Sequence, residues 1–129
     1  MSKIVHIKIF NELLSQFMEY LEENFPKFKS DLLLTGTSIS FIRKSNPRLV
    51  VEMFMKTVGK YSKQIEECDE RFFLNFDQNL DKSHLTTDNI MFGMKIKNMW
   101  LSTDPPITDI QKAHIWLYFQ KLLKCGNQI

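Results

Sequence analysis

A long amphipathic stripe near the start of the chain constrains the fold more than any other feature. Apolar residues recur there at steps of three, one, three, one, three and four, which places them on one face of an α-helix. Pro26 follows at once and predicts the end of that helix, because proline has no backbone N–H to donate. The stripe consists of Phe10, Leu13, Leu14, Phe17, Met18, Leu21 and Phe25.

The residues before this stripe leave two structures open. Val5, Ile7 and Ile9 alternate with the polar residues His6 and Lys8, and strict alternation is typical of an extended strand. The same residues could instead form an earlier start of the helix, and the sequence alone does not decide between the two.

A second choice stays open at residues 31–44. Apolar residues stand at both ends of this segment, but the Thr-Gly-Thr-Ser run at residues 35–38 is a poor helix former. A helix is the favoured prediction here, and a β-hairpin is the alternative.

The middle of the chain carries a clear helix start. Asn46 is a good N-cap, and Pro47 suits the first position of a helix. An apolar stripe then runs from Val50 to Ile65, where Gly59 can interrupt it.

Three further elements are predicted in the C-terminal half. A short helix is expected at residues 72–74 and a long one at residues 85–100. Thr108 and Gln111 have the spacing of a capping box, which predicts a last helix with Gly126 as its stop.

The amino-acid composition favours an all-α fold. Only four of the 129 residues are Gly and four are Pro, too few for the many tight turns of a β-sandwich or barrel. A chain of this length usually forms one core, and a content of 43% hydrophobic residues can build it. We therefore predict one domain, residues 1–129, folded as a compact bundle of about five helices with short loops.

The cysteines and the hydropathy pattern indicate the kind of cellular compartment in which the protein is expected. Cys68 and Cys125 form no spaced framework, and a chain of this size needs no disulfide, so a reducing compartment is expected. No run of about eighteen apolar residues is present, and the first ten residues lack the apolar core of a signal peptide. We expect neither export nor insertion into a membrane.

Short motifs along nearly the whole chain carry a family resemblance. They are Phe10-Asn11 and Phe25-Pro26, then Asn46-Pro47, Val58, Tyr61, Ile65, Asp69-Glu70 and Phe72-Phe73-Leu74, and finally Met99-Trp100, Ile115-Trp116-Leu117-Tyr118 and Leu122. In these motifs the chain resembles a group of small helical proteins of nucleocytoplasmic large DNA viruses, the giant viruses. Lys60 departs from the pattern, which has a proline before the tyrosine, and this bears on the sharpness of the bend there.

The resemblance implies an all-α fold and a viral origin. It also implies a location in the cytoplasm of the infected host cell, with the virus factory and the virion as further possibilities. The group offers no activity and no catalytic residue to carry over to this chain.

An acidic segment between two predicted helices has the spacing of a calcium-binding loop. Asp77, Asn79, Asp81, Ser83 and Asp88 fall at positions 1, 3, 5, 7 and 12. However, Lys82 stands where the sharp turn needs Gly, and Asp88 is shorter than the usual bidentate Glu. A polar connector is the favoured interpretation, and a metal site at Asp77, Asn79, Asp81 and Asp88 is the alternative.

Basic residues are concentrated in one part of the chain. The net charge is only +2, short of what a dedicated nucleic-acid domain needs. The stretch from Lys27 to Lys60 nevertheless holds seven basic and two acidic residues. Its two helices have the spacing of a helix-turn-helix, although the second is too apolar to lie exposed against bases. Salt-sensitive nucleic-acid binding is therefore the alternative function. Its candidate phosphate contacts are Lys27, Lys29, Arg43, Lys44 and Arg48.

No arrangement of residues predicts catalysis. The acidic run at residues 66–70 is best explained as a solvated helix start, and the four glycines are too isolated for a phosphate loop. Two cysteines and three histidines lack the spacing of a zinc site or a catalytic pair. We expect no enzyme activity, no cofactor and no small-molecule substrate. The favoured function is a protein-interaction or structural module that binds a protein partner or a second copy of itself.

Overall fold

The computed structural model describes residues 2–74 and 96–129, and within these two ranges the fold is all-α, as predicted. Residues 96–100 are helical as well, and 3₁₀ turns occur at Pro26–Phe28 and Gly59–Tyr61. The six helices with defined bounds are α1 (Lys3–Asn24), α2 (Lys29–Ser45), α3 (Pro47–Val58), α4 (Ser62–Glu66), α5 (Arg71–Leu74) and α6 (Asp109–Gly126).

Helix α1 begins well before its apolar stripe. The Ser2 side chain accepts a hydrogen bond from the backbone N–H of Val5 at 3.3 Å and so caps the helix. The longer helix was therefore the correct alternative, and the extended lead-in was wrong. Ile7 is buried while Val5 and Ile9 stay exposed. Of these three alternating apolar residues, Ile7 alone therefore lies on the buried face of the helix.

Residues 31–44 lie within helix α2, so the favoured prediction of a helix is confirmed and the alternative β-hairpin is wrong. The Thr35 and Thr37 hydroxyls donate to the backbone oxygens of Asp31 and Leu33 at 3.1 and 2.8 Å. The hydroxyl groups of these poor helix formers thus find their hydrogen-bond partners within the helix itself. Leu32 and Thr35 are the buried residues of α2.

The long stripe that follows is interrupted at Gly59, as predicted. Asn46 accepts a hydrogen bond from the backbone N–H of Leu49 at 3.2 Å, and Pro47 is the first residue of α3. The helix ends at Val58, and α4 resumes the stripe after a 3₁₀ turn.

A cluster of aromatic rings forms the centre of the core. The ring of Phe119 on α6 lies 5.5 Å from Phe17, 6.0 Å from Phe54, 6.0 Å from Phe72 and 5.3 Å from Phe73, measured between centroids. Such pairs add about 0.5–1.5 kcal/mol each to the burial of their area. Because the rings come from α1, α3, α5 and α6, this cluster holds the bundle together.

The acidic run before α5 has structural partners that the sequence analysis missed. Asp69 accepts a hydrogen bond from the backbone N–H of Arg71 at 3.1 Å at the start of α5. Glu70 accepts from Lys112 at 3.1 Å and from the indole N–H of Trp100 at 3.2 Å. The bond from Lys112, followed by that from Trp100, holds the pKa of Glu70 below its ordinary value. A solvated helix start is thus only part of the role of this run.

Helix α6 has the predicted capping box and the predicted end. Thr108 Oγ1 accepts from the Gln111 backbone N–H at 3.1 Å, and the Gln111 side chain accepts from the Thr108 N–H at 3.0 Å. Gly126 ends the helix without a positive φ. A Cβ at this position would lie 3.0 Å from Met55 Cγ, so the glycine provides space for Met55.

Candidate interaction site

The structure divides the five predicted phosphate contacts into two groups. Lys27 and Lys29 lie where α2 begins, whereas Arg43 and Lys44 lie in its last turn and Arg48 in the first turn of α3. At 1.5 Å per residue, Lys29 and Arg43 are about 21 Å apart along α2. The five side chains therefore do not share one compact patch.

Arg43 and Arg48 of the second group, but not Lys44, line an open groove where α1 passes the turn between α2 and α3. We call it the corner groove; its volume is 680 Å³. Ile4, Ile7 and Pro47 provide its apolar lining. The other lining residues are Lys8, Asn11, Glu12, Ser15, Gln16, Arg43, Asn46 and Arg48.

Two side-chain hydrogen bonds fix the walls of the corner groove. Arg43 Nη1 donates to Ser15 Oγ at 2.7 Å, which joins the end of α2 to α1. Asn11 Nδ2 donates to the backbone oxygen of Pro47 at 3.3 Å, which joins α1 to the start of α3. The same amide also donates to the backbone oxygen of Ile7 at 2.9 Å.

The lining of the groove is basic on balance, and one of its residues has a buried acceptor without a partner. Asn11 is only 6% exposed, and its Oδ1 has no hydrogen-bond partner, a state that costs free energy in a folded protein. In the described part of the chain, Lys8, Arg43 and Arg48 form no ion pair. Glu12 is the one acidic side chain in the lining.

Sequence reasoning missed Asn11, although a signal for it exists. The residue stands four positions after Ile7 and three before Leu14, so it shares their buried helix face. A polar residue inside an apolar stripe is an unusual feature that points to a specific contact.

A second surface lies on the outer side of α2. Leu34 and Phe41 are 66% and 76% exposed and lie seven residues apart, on the same side of the helix. Leu33, 48% exposed, borders them. We call these three side chains the α2 outer face. Two of the seventeen residues of α2 are buried, so this helix contributes few side chains to the core for its length.

The cysteines differ in environment. Cys68 is exposed, and Cys125 is partly buried. The Cys125 thiol donates to the backbone oxygen of His6 at 3.3 Å, and burial raises its pKa. Neither belongs to a metal site, since residues 2–74 and 96–129 hold no group of three or more His, Cys, Asp or Glu that could hold a metal ion.

The predicted calcium loop, with Asp77, Asn79, Asp81 and Asp88, lies outside the described residues. Among the helices that are described, none combines the length and the apolar character needed to cross a lipid bilayer.

The chain matches no protein-family model, no curated protein and no solved structure. The features of the described residues that bear on function are therefore the corner groove and the α2 outer face.

Proposed function

We propose that the chain is a non-catalytic protein-interaction module that docks a partner protein through the α2 outer face. The observation that carries this proposal is the exposure of Leu34 and Phe41, at 66% and 76%. Full burial of a Leu or Phe side chain contributes about 1.5–3 kcal/mol. A helix that presents such a stripe is a common docking element.

The number of residues that each helix buries in the core favours α2 over α6 as the docking element. Helix α6 also exposes apolar side chains, with Ile110 at 72% and Leu117 at 46%, but it buries six residues in the core. Helix α2 buries two. Of the two helices, α2 thus has the larger share of its apolar side chains available to a partner.

A matched pair of double variants tests the docking surface. We expect Leu34→Ser with Phe41→Ser to remove an association that Ile110→Ser with Leu117→Ser retains. Sedimentation of the purified proteins measures self-association as a mass above 15.3 kDa. Cross-linked co-purification from the source cells measures a stoichiometric partner. Loss of the association in both double variants, or in neither, would contradict the proposal.

Phosphate binding is the second candidate function, and one observation favours it. Lys8, Arg43 and Arg48 line the same groove without an ion pair in the described ranges. Three cations on phosphates predict a slope of about −3 for log K against log salt. Fluorescence anisotropy with a random-sequence duplex measures that slope, and Arg48→Gln should reduce it by about one. A flat salt dependence would rule out this function.

A viral origin, with a location in the infected cell or the virion, is a further proposal. It rests on the motifs shared with small proteins of large DNA viruses, among them Asn46-Pro47 and Phe72-Phe73-Leu74. Recovery of the coding sequence from the DNA of purified virus particles would support it. Recovery from the DNA of uninfected cells would contradict it.

A further inference from the structure

We propose that the corner groove is a separate binding site for the free carboxyl terminus of a polypeptide whose last residue is apolar. The terminal carboxylate lies between Arg43 and Arg48, and the last side chain lies on Ile4 and Pro47.

The charge of the corner groove fits a carboxylate. Arg43 and Arg48 carry planar guanidinium groups, which bind a carboxylate through two parallel hydrogen bonds. Neither group forms an ion pair in residues 2–74 and 96–129. The twelve-residue helix α3 also begins at Pro47 in the lining, and the positive end of its dipole favours an anion there.

Asn11 fixes the shape of the groove and stays engaged in the fold. Its side chain is 6% exposed, and its amide donates to the backbone oxygens of Ile7 and Pro47. A ligand in the groove therefore meets the two guanidinium groups and the exposed apolar lining.

The apolar lining decides between a peptide terminus and a phosphodiester. Ile4, which is 79% exposed, and Pro47 line the groove beside the cations, and a nucleic-acid backbone would leave them uncovered. A terminal Leu, Ile or Val would cover them. One ligand end therefore supplies both the anion and the apolar group that the groove accepts, and capture of a C-terminal carboxylate is a known mode of peptide recognition.

This site is independent of the α2 outer face. The corner groove contains none of Leu33, Leu34 and Phe41. Failure of docking through α2 would leave the groove proposal standing, and the reverse also holds.

A small probe with both features is N-acetyl-L-leucine, which has a carboxylate and an apolar side chain. We expect it to shift the backbone amide signals of residues 4–16, 43–46 and 48 in ¹⁵N spectra of the full chain. A ligand of this size should saturate at about millimolar concentration. N-acetyl-L-leucinamide lacks the carboxylate and should bind at least about fivefold more weakly, since a charge-assisted hydrogen bond is lost.

A matched pair of variants assigns the binding to the groove. Arg48→Gln removes an exposed cation of the lining and should weaken N-acetyl-L-leucine at least about fivefold. Lys29→Gln removes the same charge at the other end of α2 and should leave the affinity unchanged. Both changes are at exposed positions, so both proteins should fold.

Three results would overturn the proposal. The first is that N-acetyl-L-leucine shifts no signal of the groove. The second is that the amide binds as tightly as the acid, which would make the site purely apolar. The third is that inorganic phosphate shifts the same signals at equal or lower concentration, which would assign the groove to phosphate.

Discussion

At the scale of single residues, we expect alanine at Gly126 and alanine at Gly36 to have opposite effects on stability. A Cβ on Gly126 would lie 3.0 Å from Met55 Cγ, whereas one on Gly36 would have 3.9 Å to Met18 Cε. We expect Gly126→Ala to destabilise the fold by about 1 kcal/mol, which is the cost of overpacking against Met55 less the helix propensity that alanine gains. Gly36→Ala should stabilise it by up to about 1 kcal/mol, because alanine is the better helix former. Urea denaturation measures both, and equal effects of the same sign would contradict the packing at Gly126.

Glu70 predicts a pH dependence of stability. Its hydrogen bond with Lys112, which is 3.1 Å long, holds the folded-state pKa below the ordinary value of 4.5. The pair therefore stabilises the fold above pH 4.5, and this contribution is lost as the pH falls through the folded-state pKa. Glu70 is 49% exposed in its side chain, so we expect a loss of less than about 1 kcal/mol for Glu70→Gln at pH 7.

Thermal unfolding at pH 7 and pH 3 tests this expectation. The difference between Glu70→Gln and the wild type should shrink at pH 3. Glu66→Gln is the control, because Glu66 forms no ion pair in the described ranges. A difference for Glu70→Gln that is equally large at both pH values would show that its charge is not responsible.

At the scale of the elements, the capping box of α6 is the clearest local device. Thr108→Ala removes the hydroxyl that accepts from the Gln111 N–H at 3.1 Å. We expect a loss of about 1 kcal/mol, the usual cost of removing an N-cap. Thr103→Ala, in the exposed turn before it, should change stability by less than about 0.5 kcal/mol. Denaturant melts compare the two, and an equal cost for both would contradict the box.

The helix ends show which parts of the fold the sequence could predict. Asn46, Pro47 and Thr108 act through neighbours three or fewer residues away, so their motifs located α3 and α6. The start of α1 was open because residues 5–9 fit a strand and a helix equally well. The helix form depends on the Ser2 cap and on the packing of Ile7. Propensity also left α2 open, because its central residues are weak helix formers, and the helix depends on the burial of Leu32 and Thr35 in the tertiary structure.

At the scale of the whole molecule, the core was easier to predict than the candidate site. Periodic spacing identified the buried aromatic residues, since a helix repeats every 3.6 residues. The corner groove combines residues from α1, α2 and α3 that are up to 44 positions apart, from Ile4 to Arg48. A count of nearby charges in the sequence grouped Lys27 and Lys29 with Arg43, although α2 separates them by about 21 Å.

The central claim is that the side chains of the α2 outer face do not pack in the core and are available to a partner. Guanidinium denaturation of the Leu34→Ser, Phe41→Ser double variant at low micromolar protein concentration tests it most directly. We predict a change of less than about 1 kcal/mol, because both side chains are exposed. Phe119→Ala, at a position that is 2% exposed, should cost about 3–5 kcal/mol in the same measurement. A loss of that size in the double variant would contradict the account, because the α2 outer face would then be part of the core.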